Sequence, residues 1–200
     1  MQPTAQLLFE IHGLRAYELR AESMAELQAF FDANPLYFES VGGAPAIPTE
    51  AIDEFEGEPP KGWSFTKNWL LGFVDESNSL MGMANVVSDL LANSVWHIGL
   101  YIVATSRHGT GEAKAVYEAL EAWAESNGAK WLRLGVIKGN VRAEKFWERA
   151  GFIEVRTRQG VEIGTKVNTV RVMFKALAGG SVAEYLALVV RDRPEPQNAL

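Results

Sequence analysis

The hydrophobic period of this chain changes twice between Val95 and Ile137, and no other feature restricts its fold as much. Residues 95–103 (VWHIGLYIV) form an apolar, strand-length run. After it, Ala113, Val116, Tyr117, Leu120, Trp123 and Ala124 recur at helical spacing on one face, with Glu112, Lys114, Glu118, Glu121 and Glu125 mostly on the other. Asn127-Gly128 stops that helix, and residues 131–137 (WLRLGVI) return to strand. A strand, a helix and a second strand in this order predict a parallel crossover between the two strands.

The flanking segments predict antiparallel neighbours, because turn clusters separate β-rich runs. Strands are expected over 14–21, 68–74 and 80–91, and a closing hairpin over 152–158 and 166–177. Helices are expected over 24–33, over about 143–150 and from 182 to 192. Ser23-Met-Ala-Glu26 and Ser181-Val-Ala-Glu184 both have the capping-box form. The result is a mixed α/β sheet, mostly antiparallel, of about seven strands flanked by helices. One domain over 14–177 and a C-terminal helix with a fraying tail over 178–200 complete the chain. Residues 34–62 carry Pro and Gly breakers and a short helix near 49–55. Their Leu36, Tyr37, Phe38, Ile52 and Phe55 call for burial, either as a flap over a pocket or as a packing insertion.

Composition narrows the function. There is no cysteine, which removes disulfides, thiolate metal sites and a Cys nucleophile. Three histidines (His12, His97 and His108) make a poor basis for a metal site, so no metal is expected. A formal net charge of −6 argues against a general nucleic-acid binder while leaving room for one local basic groove. The start has no basic, apolar leader pattern, and no apolar run reaches the roughly 18 residues a membrane helix needs. These features are those of a cytoplasmic α/β domain without membrane attachment.

Between the strand at 95–103 and the helix lies Thr105-Ser-Arg-His108-Gly109-Thr110-Gly111-Glu112-Ala113. Two glycines one residue apart let the backbone curl so that the first amides of the helix converge on one point. The helix dipole adds positive charge there, which suits a phosphate. An ordinary strand-to-helix turn is the plain alternative. A P-loop would need G-K-[ST] where Glu112-Ala113 stands. A dinucleotide fingerprint would need a small residue where Lys114 stands and an acid after the next strand, where Lys138 stands.

The order H-G-T-G-E-A at 108–113, long helix, strand, then Asn140-Val-Arg-Ala143-Glu-Lys-Phe146-Trp147-Glu-Arg-Ala-Gly151-Phe152, resembles the GNAT superfamily of N-acetyltransferases. Histidine replaces the usual Gln or Arg at the head of the loop, and Trp147 stands where tyrosine is frequent. The resemblance implies a V-shaped splay between the strands at 95–103 and 131–137. It implies acetyl-CoA as donor, with its diphosphate on the amides of Gly109, Thr110, Gly111, Glu112 and Ala113 behind His108. Its pantetheine arm would pair beside Tyr101, Ile102 and Val103, bond to Asn140 and run along Ala143, Phe146 and Trp147. Asn140 equally suits a helix N-cap.

An acetyl acceptor must present a neutral amine, so a base is needed. His97 falls where the family places a glutamate and is the expected base or water relay, with a core histidine as the alternative. Strict alternation would put His97, Gly99 and Tyr101 on one face. Trp147 cannot serve as the acid for the leaving thiolate; Tyr101 is the substitute. The acceptor is expected to be a small-molecule or peptide amine. Tyr37, Phe38, Trp63, Trp69 and Trp96 are candidates for its wall, and Glu39, Asp53 and Glu54 for attracting its charge. The helix at 182–192 either covers the sheet or forms a homodimer contact. A non-catalytic acyl-CoA-binding module is the rival class, and a nucleotide-binding α/β protein the third.

Overall fold

The computed structural model describes residues 6–11 and 13–194. Eight strands form one sheet in the order β1-β2-β3-β4-β5-β6-β8-β7. They are β1 (Leu7–Ile11), β2 (Leu14–Glu18), β3 (Lys67–Val74), β4 (Leu80–Ser88), β5 (Val95–Val103), β6 (Trp131–Ile137), β7 (Ile153–Ile163) and β8 (Lys166–Ala176). Only β5 and β6 run parallel; α4 (Glu112–Ser126) makes the crossover between them. The expected mixed, mostly antiparallel sheet is present.

Several boundaries differ, each for a local reason. The eighth strand is β1, which pairs with β2 through Ile11 and Leu14; its five residues were too few to show a period. β2 stops at Glu18. β4 stops at Ser88 because Asp89 and Leu91 take positive φ and the Asp89 carboxylate accepts the Ser94 amide at 2.7 Å, bending the chain. β7 runs on to Ile163 through two irregularities in its pairing with β8.

Helices cover both faces. On one, α4 lays Val116, Tyr117, Leu120 and Trp123 over Leu71, Phe73, Trp96, Ile98 and Leu134, and α5 (Val141–Arg149) adds Trp147. On the other, α1 (Met24–Ala33), α2 (Leu36–Gly42) and α3 (Glu50–Glu56) pack Leu27, Phe31, Phe38 and Ala51 against Leu70, Met83, Leu100 and Ile102. Not all the apolar residues of the 34–62 segment are buried: Leu36, Ile52 and Phe55 stay exposed. The capping box expected at Ser23 is not formed. Ser23 already lies in a 3₁₀ turn, Ala21–Ser23, and its side chain makes no capping bond. The second box does form at α6 (Val182–Leu188), where Ser181 Oγ accepts the Glu184 amide and Glu184 accepts the Ser181 amide.

The C-terminal segment packs on the sheet. Tyr185 and Val189 join Val95, Trp131 and Phe174 in a third apolar cluster. The helix expected to reach residue 192 stops at Leu188, and Arg191 and Asp192 occupy a separate ordered turn, Val190–Asp192; residues 195–200 lie outside the described chain. Asp192 is 0% exposed and takes a two-bond grip from Arg133 on β6, Nε at 2.7 Å and Nη2 at 2.9 Å, with the Tyr185 hydroxyl donating at 2.7 Å. Burial pushes the Asp192 carboxyl upward, but these bonds outweigh it and hold the carboxyl below its usual value. Asp192→Asn leaves Arg133 buried without its counter-charge and is expected to cost about 3 kcal/mol, read as a lower midpoint in urea unfolding. A midpoint equal to wild type would show that the pair adds nothing.

Candidate acyl-transfer site

The site begins at a bulge. Asn85 on β4 faces Leu100 and the next residue, Val86, faces Ile98, so Gly99 is the extra residue on β5. The expected single face for His97, Gly99 and Tyr101 is therefore wrong. Beyond the bulge, Tyr101 turns into the α4–α5 side, packing with Trp96 and Ile98, while His97 stays on the opposite side. Next to the bulge the parallel ladder ends at Ile98 and Leu134. From there β5 stays paired only with β4, and β6 only with β8, so Gly99–Val103 and Gly135–Ile137 diverge. This is the splay expected between the two strands.

On the α4–α5 side lies a cavity of about 780 Å³ lined by Tyr101, Ile102, Val103, His108, Gly109, Gly111, Ala113, Asn140, Ala143, Phe146 and Trp147. Thr110 and Glu112 are not part of this lining. Thr110 Oγ1 donates to the Arg107 carbonyl and accepts the Glu112 amide, and Glu112 pairs with Arg107. Gly109 and Gly111 have φ of 82° and 87°, and an added Cβ at either would meet nothing within 4 Å. Their role is thus conformational, opening the amides at the start of α4 outward. His108 folds back, its Nε2–H donating to the Val103 carbonyl at 2.9 Å. Asn34, buried at the end of α1, accepts the Thr105 amide at 2.7 Å and fixes the entry to the loop. Arg107, Lys114, Arg142, Lys145, Arg149 and Lys175 rim the cavity, a local basic groove in an acidic chain.

A second cavity, of about 570 Å³, opens on the other sheet face. Its lining includes Gly99, Gly135, Glu54, Trp63, His97 and Arg158. The two cavities share Tyr37, Tyr101, Asn140, Ala143 and Trp147, so they meet through the splay. The bridge over that junction is α2. Asn140 Oδ1 caps α5 by accepting the Ala143 amide at 3.2 Å, and its Nδ2 donates to Ser40 Oγ at 3.0 Å. The β7–β8 hairpin holds the far end of α2, with the Thr165 amide on the Gly42 carbonyl at 2.8 Å and Lys166 Nζ on the Glu39 carbonyl at 2.8 Å. The 34–62 segment is therefore a flap fastened at both sides of the junction.

Four titratable groups at or beside this junction are strongly shifted; one is Tyr37, which burial, then the Glu54 and Glu50 charges, hold above the ordinary phenol value. Burial, followed by the nearby Arg133 charge, drives His97 down to about 3. Its Nδ1 sits 3.1 Å from the Arg133 carbonyl and 3.2 Å from Arg133 Nη1. Burial, with Glu50 adding repulsion, pushes Glu54 up to about 7. Burial and then Glu112 hold Tyr101 above the ordinary phenol value, and its hydroxyl donates to the Ala113 carbonyl at 2.6 Å. Of the other candidate wall residues, Tyr37 and Trp63 line the second cavity, while Phe38 and Trp96 are buried in the core. Trp69 stands edge-on to Trp123. Asp53 lines the cavity with Glu54; Glu39 does not. Among the described residues no cluster of three metal-ligating side chains occurs, and no helix is long and apolar enough to cross a membrane.

A bulged strand, a splay beside it and a glycine-opened helix start at its end define an acyltransferase-type fold. The sequence model of the acetyltransferase (GNAT) family matches residues 27–152, and the chain belongs to that family. The structure is similar to an acetyltransferase of Salmonella typhimurium that modifies the N-terminal serine of ribosomal protein L7/L12. That pair shares 12% identity with a TM-score of 0.69, covering 86% of this chain and 99% of the other. It is similar to the ribosomal-protein-S18-alanine N-acetyltransferase of Escherichia coli at 14% identity and TM-score 0.63, covering 84% and 97%. Spermidine N-acetyltransferase of Vibrio cholerae, solved with CoA and spermine, gives 14% and 0.63, covering 82% and 95%. No curated protein sequence matches the chain.

Proposed function

We propose that this chain transfers an acetyl group from acetyl-CoA to a primary amine of a small molecule or peptide. The observation that carries the reading is the junction itself: a basic cavity ending on open helix amides meets, through a gap between two strands, a second cavity holding a carboxyl poised near neutrality. The Gly109–Ala113 turn and its basic rim fit a diphosphate, with Gly109, Gly111 and Ala113 amides as the cradle. The free edge at Tyr101–Val103 fits an extended arm that adds to the sheet. Asn140 serves that arm by exchanging its Ser40 contact. Bound there, acetyl-CoA supplies an acyl carbon activated by its thioester.

Glu54 is the base in this reading. A carboxylate with a value near 7 is half ionised at neutral pH and takes the proton of an incoming ammonium, directly or through one water. His97 at about 3 is neutral at working pH but too weak a base to hold that proton. It orients the relaying water from the cavity wall, with Arg133 fixing the ring through Nδ1. Tyr101, buried and bonded to Ala113, keeps its proton and braces the splay; solvent supplies the proton for the departing sulfur. In this reading the amide beside the Gly99 bulge polarises the acyl oxygen.

The test is release of free thiol from acetyl-CoA with a panel of primary amines. Amine-dependent release supports the assignment, and CoA binding without turnover on any amine would replace it with a non-catalytic CoA-binding module. For the relay role, His97→Ala is expected to lower kcat about tenfold with the acidic limb of the pH profile still near 7. A limb that moves with this substitution would make His97 the titrating base.

A further inference from the structure

The second cavity carries a cation that the transfer chemistry does not use. Arg158, on β7, lines its wall. Three successive contacts of 3.2, 2.9 and 3.3 Å lead from His97 through Arg133 and Asp192 to Arg158 Nη2. Asp192 has little left to offer Arg158. Its oxygens already accept Arg133 Nε, Arg133 Nη2 and the Tyr185 hydroxyl at 2.7 to 2.9 Å, and Arg158 receives only the longest contact. The Arg191 carbonyl is farther still, at 3.5 Å. Among the described residues Arg158 Nε is buried without a hydrogen-bond partner. Arg158 thus lines the cavity with a guanidinium that is ion-paired to Asp192 through Nη2 alone, at 3.3 Å, and that keeps donor capacity for an anion even with its Nε enclosed. Burial and the neighbouring Arg133 and Arg191 guanidinium groups also lower its affinity for its own proton, a strain that an anion relieves.

Glu54 lines the same cavity, as do Gly99 and Gly135, whose missing side chains leave room that the Asn85 and Val170 side chains closely approach. We propose that the acceptor is a small primary amine that also bears a carboxylate, the carboxylate seated on Arg158 and the amine at the splay facing Glu54. This rests on the acetyl-transfer reading above and names its substrate class. A planar carboxylate matches the guanidinium, and a cavity of about 570 Å³ that both Arg158 and Glu54 line suits a compact molecule. A polyamine would place a second cation against the arginine.

The experiment uses matched pairs of amines in the thiol-release assay: lysine with cadaverine, ornithine with putrescine, phenylalanine with phenethylamine. The expected result is a kcat/KM at least tenfold higher for the carboxylate-bearing member of an accepted pair. In Arg158→Gln that ratio collapses toward one, and Arg158→Lys restores part of it, while CoA affinity reports that each variant is folded. Equal or better turnover of the decarboxylated partners overturns this substrate class and leaves acetyl transfer standing. A ratio untouched by Arg158→Gln overturns the role of Arg158, and absence of turnover on both members of every pair overturns this substrate class, the acetyl-transfer reading then standing or falling on the wider amine panel.

Discussion

Gly111→Glu is expected to abolish coenzyme binding while leaving the domain folded. Gly111 is the N-cap of α4 at φ 87°, a left-handed conformation that costs a non-glycine residue about 1–2 kcal/mol. A side chain there points into open space, with nothing within 4 Å of its Cβ, so the free protein tolerates it sterically. The carboxylate would instead stand where the diphosphate belongs. Two like charges about 4 Å apart near a protein surface repel by about 4 kcal/mol, close to a thousandfold in affinity. Calorimetric titration with CoA measures this directly, and a circular dichroism melt within a few degrees of wild type separates lost binding from lost fold. Unchanged affinity would mean that the diphosphate lies elsewhere.

Glu54→Gln is expected to lower kcat by about 10²–10⁴, the usual contribution of a placed base. The pH profile gives the sharper reading. With the carboxyl of the free protein raised to about 7, its ionised form appears as pH rises through that value, so kcat/KM should climb on an acidic limb near 7 and then level. In Glu54→Gln the limb should vanish and the residual rate become flat. A variant that keeps both rate and limb would exclude Glu54 and return the question to His97.

The parts of this molecule that were readable in its residues are those with a period or a turn grammar. The Ala113–Ala124 stripe fixed α4, and the apolar runs at 95–103 and 131–137 fixed the parallel pair that it connects. The two glycines at 109 and 111 then placed an open helix start at the end of β5. The bulge was not readable. In VWHIGLYIV nearly every side chain is apolar, so an inserted residue changes facing without changing the pattern, and only the register against Asn85 and Val86 exposes it. Glu54 looked like one more acid in a chain of net charge −6; its partial burial comes from α3, which carries it, folding back over the sheet near Tyr37 of α2. Asp192 gave no periodic signal within RDRPEPQ, because its partner Arg133 is 59 residues away in sequence. In the capping sequences, the same four-residue form led to a box at Ser181 and none at Ser23, where a preceding 3₁₀ turn had already set the helical conformation.

The fold also explains why one chain needs both its flap and its C-terminal turn. The flap carries Glu54 to the lining of the second cavity and, through Ser40, reaches Asn140 across the splay. The C-terminal turn supplies Asp192, which fixes Arg133, and Arg133 in turn holds His97. Both devices lie outside the glycine loop and crossover, and both converge on the point where the two cavities join.

A crystal structure of the protein grown with CoA tests this arrangement most directly. The account predicts density for the diphosphate on the amides of Gly109, Gly111 and Ala113, and for the pantetheine arm along Tyr101–Val103 with its sulfur at the Gly99 bulge. Coenzyme bound with its diphosphate away from that turn, or with its arm outside the gap between β5 and β6, would contradict it.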